Sequence, residues 1–424
     1  AGFSVAEIGN RKEPKAFVKR ARLPQAEDSA PMRVSRIEAP IVFPPMLANR
    51  RKNMQYNELE KLGERVSRLG FGCMRFPITP EGGIDEPRAE AMLESAYRAG
   101  VNYFDTAYFY HQHTSEAFVG RAMKKYPRES FHLATKMPMS IVNSLDHAKE
   151  IFEGQLAALQ TDYVDFYLFH ALSGERWEQA KQMGVVAYLE EQQKAGRIHH
   201  LGFSFHDSYE AFEKILTDRQ WDFCQIQFNY MDTEIQAGMK GYELAKKMGV
   251  PIFVMEPVKG GSLATLSEDI TQKFKAVHPD WSVASWAMRW VASLDNCKVI
   301  LSGMTTEEQV EDNMATFSQL EPLNEAELAV IDDVRAAIRA RVFIGCTGCK
   351  YCMPCPFGVD IPRNFRMMND YAMYSNERSL ASSWKNMDEG ARATACKKCG
   401  KCERACPQHL PIRQKLKQIA EKMG

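Results

Sequence analysis

Cysteine is where this chain concentrates its chemistry. Eight of its eleven cysteines lie beyond residue 345, as Cys346, Cys349, Cys352 and Cys355 before Pro356, and as Cys396, Cys399, Cys402 and Cys406 before Pro407. Iron in a cubane cluster wants four soft thiolates converging on a small volume, and cysteines at i, i+3 and i+6 can wrap three corners from one loop. The fourth ligand must come from elsewhere, and in two-cluster proteins the cysteine before the proline crosses to the neighbouring cluster. That rule expects Cys346, Cys349, Cys352 and Cys406 on one cluster, and Cys396, Cys399, Cys402 and Cys355 on the other, although the first run is one residue shorter before its last cysteine. Zinc in two all-thiolate tetrahedral sites is an alternative the residue types leave open, and loop-closing disulfides are a weaker one.

The rest of the chain must fold around these loops. At 424 residues with 45% hydrophobic side chains it can support one large domain and one small one. Net charge is zero but uneven: residues 1–53 hold eleven Lys or Arg against five Asp or Glu, residues 336–424 hold sixteen against seven, and the middle therefore carries −15. A cubane with four thiolates is roughly a dianion, so the basic tail offsets two clusters, and nucleic acid is not the implied partner. No run of 18 apolar residues is present, so no transmembrane segment is expected. Residues 1–53, broken by Pro14, Pro24, Pro31, Pro40, Pro44 and Pro45, read as an extended arm. Arg50 and Arg51 are followed by polar residues where an export signal needs an apolar run. Cluster chemistry and three further cysteines point to a reducing, cytoplasmic setting; export of the folded protein after removal of a leader is the alternative.

Between arm and clusters, β-rich runs alternate with amphipathic helical ones. The strand candidates are Leu69 to Cys73, Tyr103 to Ala107, His132 to Lys136, Val164 to His170, Ile198 to Ser204, Phe223 to Asn229, Pro251 to Glu256 and Lys298 to Gly303. Eight such units predict an α/β fold of the (β/α)8 TIM barrel class, and no glycine fingerprint of a doubly wound dinucleotide-binding sheet is present. The expected division is an arm over 1–56, a barrel over 57–335 and a small α-helical cluster domain over 336–424, with the Met, Phe and Tyr stripe from Arg363 to Trp384 as a packed helix. Function in such barrels sits at the C-terminal strand ends, which here carry Asp105, Lys136, His170, Ser204, Gln225 and Glu256.

Those ends carry a recognisable pattern. Gly100-Val-Asn-Tyr-Phe-Asp105-Thr106-Ala107-x-x-Tyr110, Ser115-Glu116, Ala134-Thr135-Lys136 and His170 resemble the signature of the aldo-keto reductases, over Leu62 to Asn313. With the cysteine runs, the chain resembles the iron–sulfur branch of that family, which carries a C-terminal two-cluster ferredoxin-like domain. A hydride delivered to a carbonyl leaves an alkoxide, which needs a proton donor and oxyanion stabilisation. Tyr110 is the donor candidate, Lys136 anchored by Asp105 would favour its tyrosinate, and His170 would orient the carbonyl oxygen. The resemblance further implies that Ser204 and Gln225 hold the nicotinamide carboxamide. Met255 takes the place of a stacking aromatic, and Phe205 that of a usual Asn. Pro257, Lys259, Gly260 and Gly261 would meet the pyrophosphate, and Gly303, Gln309 and Asn313 the adenosine. Gly303 and Gln309 stand where many relatives have Lys and Arg for the 2′-phosphate, so either NADP(H) or NAD(H) is expected.

The implied activity is reduction of a small carbonyl, or oxidation of the alcohol, with two 4Fe-4S clusters for electron transfer or for docking a redox protein partner. Nicotinamide delivers two electrons at once and each cubane takes one, so direct exchange needs a splitter, and no flavin-binding motif is evident. A second reading is an electron-transfer or docking subunit of a larger redox complex whose barrel is inactive towards nicotinamide, as Phe205 and Met255 suggest. Cys73, Cys224 and Cys297 read as core residues, His199 and His200 as facing opposite ways on a strand, His206 as a strand-end residue beyond Phe205, and His111 and His113 as solvated loop residues following Tyr110.

Overall fold

Runs of β-branched and aromatic residues separated by helical periods fold as that change of period dictates. The computed structural model describes residues 54–424. In it β1 (Tyr56–Leu59) and β2 (Glu64–Ser67) form an antiparallel hairpin. Parallel strands follow: β3 (Leu69–Gly72), β4 (Tyr103–Asp105), β5 (His132–Met137), β6 (Val164–Leu172), β7 (Ile198–Phe205), β8 (Phe223–Gln227), β9 (Ile252–Met255) and β10 (Cys297–Gly303). They close in the order β10-β3-β4-β5-β6-β7-β8-β9, so the TIM barrel expectation holds. The expected arm over 1–53 lies outside the described residues. Residues 54–56 belong with the barrel, because Met54 is buried and the Tyr56 hydroxyl donates to the Gly100 carbonyl at 2.7 Å.

Alternation along the strands sorts the side chains. Tyr103, Phe166, Phe223, Phe253, Val299 and Leu301 fill the barrel interior, and Leu59 and Val66 of the hairpin plug the end where the strands begin. Phe166 meets Tyr103 and Phe223 edge-on, with ring centroids 5.2 and 5.1 Å apart, an arrangement that adds about 0.5–1.5 kcal/mol per pair to simple burial. Gly70 makes this layer close: a Cβ there would stand 2.6 Å from Leu301 and 2.8 Å from Val299. Asp105, Lys136, His170, Ser204, Gln225, Met255 and Gly303 share the parity of these interior residues, and therefore form the next layers towards the C-terminal mouth.

Helix Glu325–Arg339, opened by a capping box between Asn324 and Glu327, leads to a second helical region. Its helices are Ile361–Tyr374, Glu377–Lys385, Lys401–Ala405 and Ile412–Met423, around a core of Ile361, Phe365, Leu380, Leu416 and Ile419. The Met, Phe and Tyr stripe, expected as one helix from Arg363 to Trp384, is divided between the first two of these by Ser375 (φ +54°), and the first is buried through Phe365, Met367, Met368 and Tyr374. Asn364, fully buried, pairs both ends of its amide: Nδ2 donates to the Asp360 and Ala391 carbonyls at 2.7 and 2.8 Å, and Oδ1 accepts from Ala393 N at 2.9 Å. Tyr374 is buried in the barrel's own core cluster, so this region packs directly on the barrel. No described helix is long and apolar enough to cross a membrane.

Candidate active site

Lys136 closes β5 with its ammonium enclosed, the residue being 1% exposed. Its Nζ donates to Asp105 Oδ1 at 2.6 Å, to the Thr106 carbonyl at 2.7 Å and to the Tyr110 hydroxyl at 3.4 Å. Burial opposes the charge on Lys136, but the Asp105 carboxylate and the Tyr110 hydroxyl together more than offset it and hold the ammonium above its ordinary value. Asp105 in turn is pushed up by burial, with Lys136 pulling it back, and its Oδ2 has no hydrogen-bond partner. Burial also pushes the Tyr110 phenol up, and the opposing pull of Lys136 is the smaller effect. The expected drift towards tyrosinate is therefore reversed, and Tyr110 holds its proton at neutral pH. His170 lies edge-on to Tyr110, with ring centroids 6.2 Å apart. Burial, followed by the charges of Lys136, His206 and Arg176, pushes it down to about 3, so the imidazole is neutral.

Local irregularities hold these groups. The pairing of β6 with β7 shifts between Phe169 and Leu172, and Ala171 has φ +49°, its N–H donating to Ser204 Oγ at 2.7 Å. Such a bulge re-aims side chains at a strand end. Directly after Tyr110, His111, Gln112 and His113 all have positive φ (48°, 55° and 70°), at a cost of roughly 1–2 kcal/mol per residue. His111 Nε2 pins this turn by accepting from Phe76 N at 3.2 Å. Beneath Lys136, Gln155 Nε2 donates to the Lys136 carbonyl at 3.0 Å and to Glu116 Oε1 at 2.8 Å, and Thr135 donates to the same carboxylate. Gln155 was not singled out by sequence, since a polar residue on an amphipathic helix carries no distinguishing signal.

On the nucleotide side, Ser204 and Gln225 face each other in register across β7 and β8. Gln225 Oε1 is buried without a partner, an acceptor open to an amide donor. Met255 is half-buried against the interior cluster, and Phe205 is fully buried. Lys259 donates to both oxygens of Asp232, at 2.8 and 2.6 Å, instead of standing free, and Asp232 also accepts from Gln227 and Asn229. After Pro257, the amides of Lys259, Gly261 and Ser262 are used inside their own turn, which Gly260 (φ +62°) and Gly261 (φ +98°) permit. Asn313 Nδ2 donates to Ser302 Oγ at 2.9 Å, and Gln309 Oε1 accepts from Thr305 N at 2.8 Å. Gly303 has no side chain, and the stem of Arg75 occupies the space: a Cβ there would lie 2.6 Å from Arg75 Cγ. Arg75 is an exposed cation beside the strand end that sequence reading missed, because it comes from the opposite side of the barrel closure, after β3. His206 Nδ1 pairs with Gln236 Oε1 at 3.1 Å.

The cysteines gather around two adjacent cavities. Cys346, Cys349, Cys352 and Cys406 line one, while Cys355, Cys396, Cys399 and Cys402 line the other, with Cys352 reaching both. This is the crossed arrangement, with each Cys-Pro cysteine beside the opposite run. Four cysteines drawn from both runs lining one cavity are a donor set that would suit a cubane. All eleven cysteines are free, and Cys73, Cys224 and Cys297 are buried in the barrel.

A closed parallel barrel with an ion pair, a phenol and a neutral imidazole at its mouth, continued by a cysteine-lined helical region, is the architecture of a barrel oxidoreductase with an iron–sulfur extension. The chain belongs to the aldo/keto reductase family, whose model matches residues 68–336, more than half its length. A 4Fe-4S dicluster domain model matches residues 345–410, which supports iron–sulfur ligation over the zinc and disulfide alternatives. The chain is 23% identical over 303 residues to the NADH-specific methylglyoxal reductase of Escherichia coli (strain K12), covering 60% of this chain and 90% of that protein. It is 25% identical over 340 residues to a probable voltage-gated potassium channel subunit beta of Oryza sativa subsp. japonica, covering 68% and 98%. Among solved structures, the holo form of aldo-keto reductase AKR11C1 from Bacillus halodurans superimposes with a TM-score of 0.56 at 26% identity, covering 66% of this chain and 96% of that one.

Proposed function

We propose that the barrel reduces a small carbonyl compound, or oxidises the corresponding alcohol, with NAD(P)(H), and that residues 336–424 hold two 4Fe-4S clusters. The observation that carries the barrel reading is the fully enclosed Lys136–Asp105 pair set against a protonated Tyr110 and a neutral His170. The nucleotide, when bound, supplies the hydride. Tyr110 gives its proton to the nascent alkoxide, and the Lys136 charge 3.4 Å away stabilises the tyrosinate that results. Neutral His170 orients the carbonyl oxygen by donating an N–H hydrogen bond, and Asp105 fixes Lys136. The orphaned Gln225 Oε1 and its neighbour Ser204 suit a carboxamide. Gly303 and Gln309 lack charge while Arg75 stands beside Gly303, so either NADH or NADPH should serve, the former in keeping with the NADH-specific relative. For the clusters, Cys346, Cys349, Cys352 and Cys406 form one ligand set and Cys355, Cys396, Cys399 and Cys402 the other.

Tyr110→Phe should lower carbonyl reduction by about 10²–10⁴-fold while iron content stays unchanged. Retained activity would refute the assignment of the donor.

A second reading, an electron-transfer or docking subunit with a barrel silent towards nicotinamide, draws support from one specific feature: Lys259, Gln309 and Asn313 are all engaged internally. The potassium channel subunit among the relatives is consistent with a docking role. Calorimetric titration with NADH and NADPH separates the two, since the second reading requires that neither bind.

A further inference from the structure

The loops that carry the cysteines also leave positive charge uncompensated. Lys350, Lys397, Lys398, Lys401 and Arg404 are exposed, and among the described residues none makes a side-chain ion pair or hydrogen bond. The nearby Glu403 is already taken by Arg413, at 2.7 Å. Lys350 lines one cysteine cavity, and Lys397 and Lys398 line the other. Two aromatic side chains of the same loops are exposed: Tyr351, next to Lys350 in the chain, is 70% exposed and Phe357 44%, and Phe357 walls the same cavity as Lys397 and Lys398. Cys349 and Cys399 are themselves exposed, so both cavities open here.

Charge arithmetic decides whether residues 336–424 as a whole merely balance their own clusters. Residues 336–424 carry sixteen basic and seven acidic side chains, a balance of +9. Two cubanes at about −2 each remove about four of these, leaving about +5. Self-compensation therefore accounts for less than half of the excess.

We propose that Tyr351 and Phe357, ringed by Lys350, Lys397, Lys398 and Lys401, form the docking surface for an acidic one-electron carrier protein. The proposal rests on the cluster reading above and names the chemistry of the partner. An apolar anchor within a charged rim is how transient interfaces are built, and opposite charge speeds the encounter. A one-electron carrier matches the single electron each cubane accepts.

The test uses the full chain prepared anaerobically, with an acidic flavodoxin and a basic cytochrome c as probes, and binding as the readout. Flavodoxin should bind at 10 mM ionic strength and weaken about tenfold or more by 200 mM, as screening shortens the reach of surface charge. The pair Lys397→Glu and Lys401→Glu should weaken it about tenfold, and Tyr351→Ala should weaken it severalfold without altering the salt dependence. Equal binding of both carriers, binding insensitive to salt, or an unchanged affinity in the charge-reversed protein overturns the proposal. Iron and sulfide are measured in every sample. Should the double variant lose iron, Lys401→Glu alone, which lies outside both cysteine cavities, repeats the comparison. A wild-type protein that takes up no iron overturns the cluster reading, and the docking surface with it.

Discussion

Replacing Lys136 with Met keeps most of the side chain's volume and removes only its charge. The ammonium lies 2.6 Å from Asp105 Oδ1, and neither side chain is more than 3% exposed. Asp105 Oδ2 already lacks a partner, so the variant strands a carboxylate with neither oxygen paired in a site closed to water. Breaking a buried pair in this way costs about 3–5 kcal/mol, several times the value of a surface ion pair. The deficit should depend on pH. Without Lys136, only burial acts strongly on Asp105, and its folded-state pKa rises above the unfolded value. A group so raised is least costly below its unfolded pKa and grows more costly as pH climbs towards the folded one, so the deficit should narrow on acidification and level off above that value. Adding Asp105→Leu removes the stranded charge and should recover most of the lost stability, with no recovery of carbonyl reduction. Anaerobic urea unfolding followed by tryptophan fluorescence suits this comparison, since five of the six tryptophans (Trp177, Trp221, Trp281, Trp286 and Trp290) lie in the barrel. A single-variant deficit under about 1 kcal/mol, or a double variant as unstable as the sum of its parts, would refute the reasoning.

Two further outcomes are expected. At the closed end of the barrel, burial opposes a charge on His132, but Asp165 and Glu64 outweigh it and hold the imidazole above its ordinary value; Arg128, His199 and His200 share those carboxylates. Its contribution is full below about pH 6.5 and fades as pH rises through the higher folded value, so His132→Asn should flatten the decline of the melting temperature across neutral pH. Parallel wild-type and variant profiles would count against it. Crossed ligation predicts that Cys406→Ala removes the cluster of the first run, taking iron from about eight to about four atoms per chain. Combined with Cys349→Ala it should lose no more, whereas combined with Cys399→Ala it should lose both clusters; the opposite pattern in the iron assay points to uncrossed ligation.

The cysteine runs and the eight strand candidates were legible in one dimension because their signals are local. Ligand spacing is a property of one loop, and a strand's apolar alternation is a property of three to nine residues. The residues gathered at the barrel mouth were legible for a related reason: strand ends come at regular intervals in a (β/α)8 chain, so Asp105, Lys136 and His170 announce themselves by position. What sequence could not weigh was environment. Lys136 suggests a lowered phenol pKa, yet the enclosure of Tyr110 outweighs it, and enclosure is contributed by many residues at once. Lys259 looks free until Asp232, 27 residues earlier, is folded against it. Arg75 comes to lie over Gly303 only because β3 pairs with β10 and closes the barrel.

By itself, then, the sequence determined which elements form, which residues sit at their ends and which cysteines are spaced as ligands, since each of these follows from periodicity and short-range covalent reach. Tertiary structure alone decided which charges are paired, which polar atoms are left without partners and which face of the cysteine-rich region stays positive. Those quantities depend on distance and water access between residues far apart in the chain, and both are set only when the barrel closes and the helices of residues 361–423 pack around the cysteine loops.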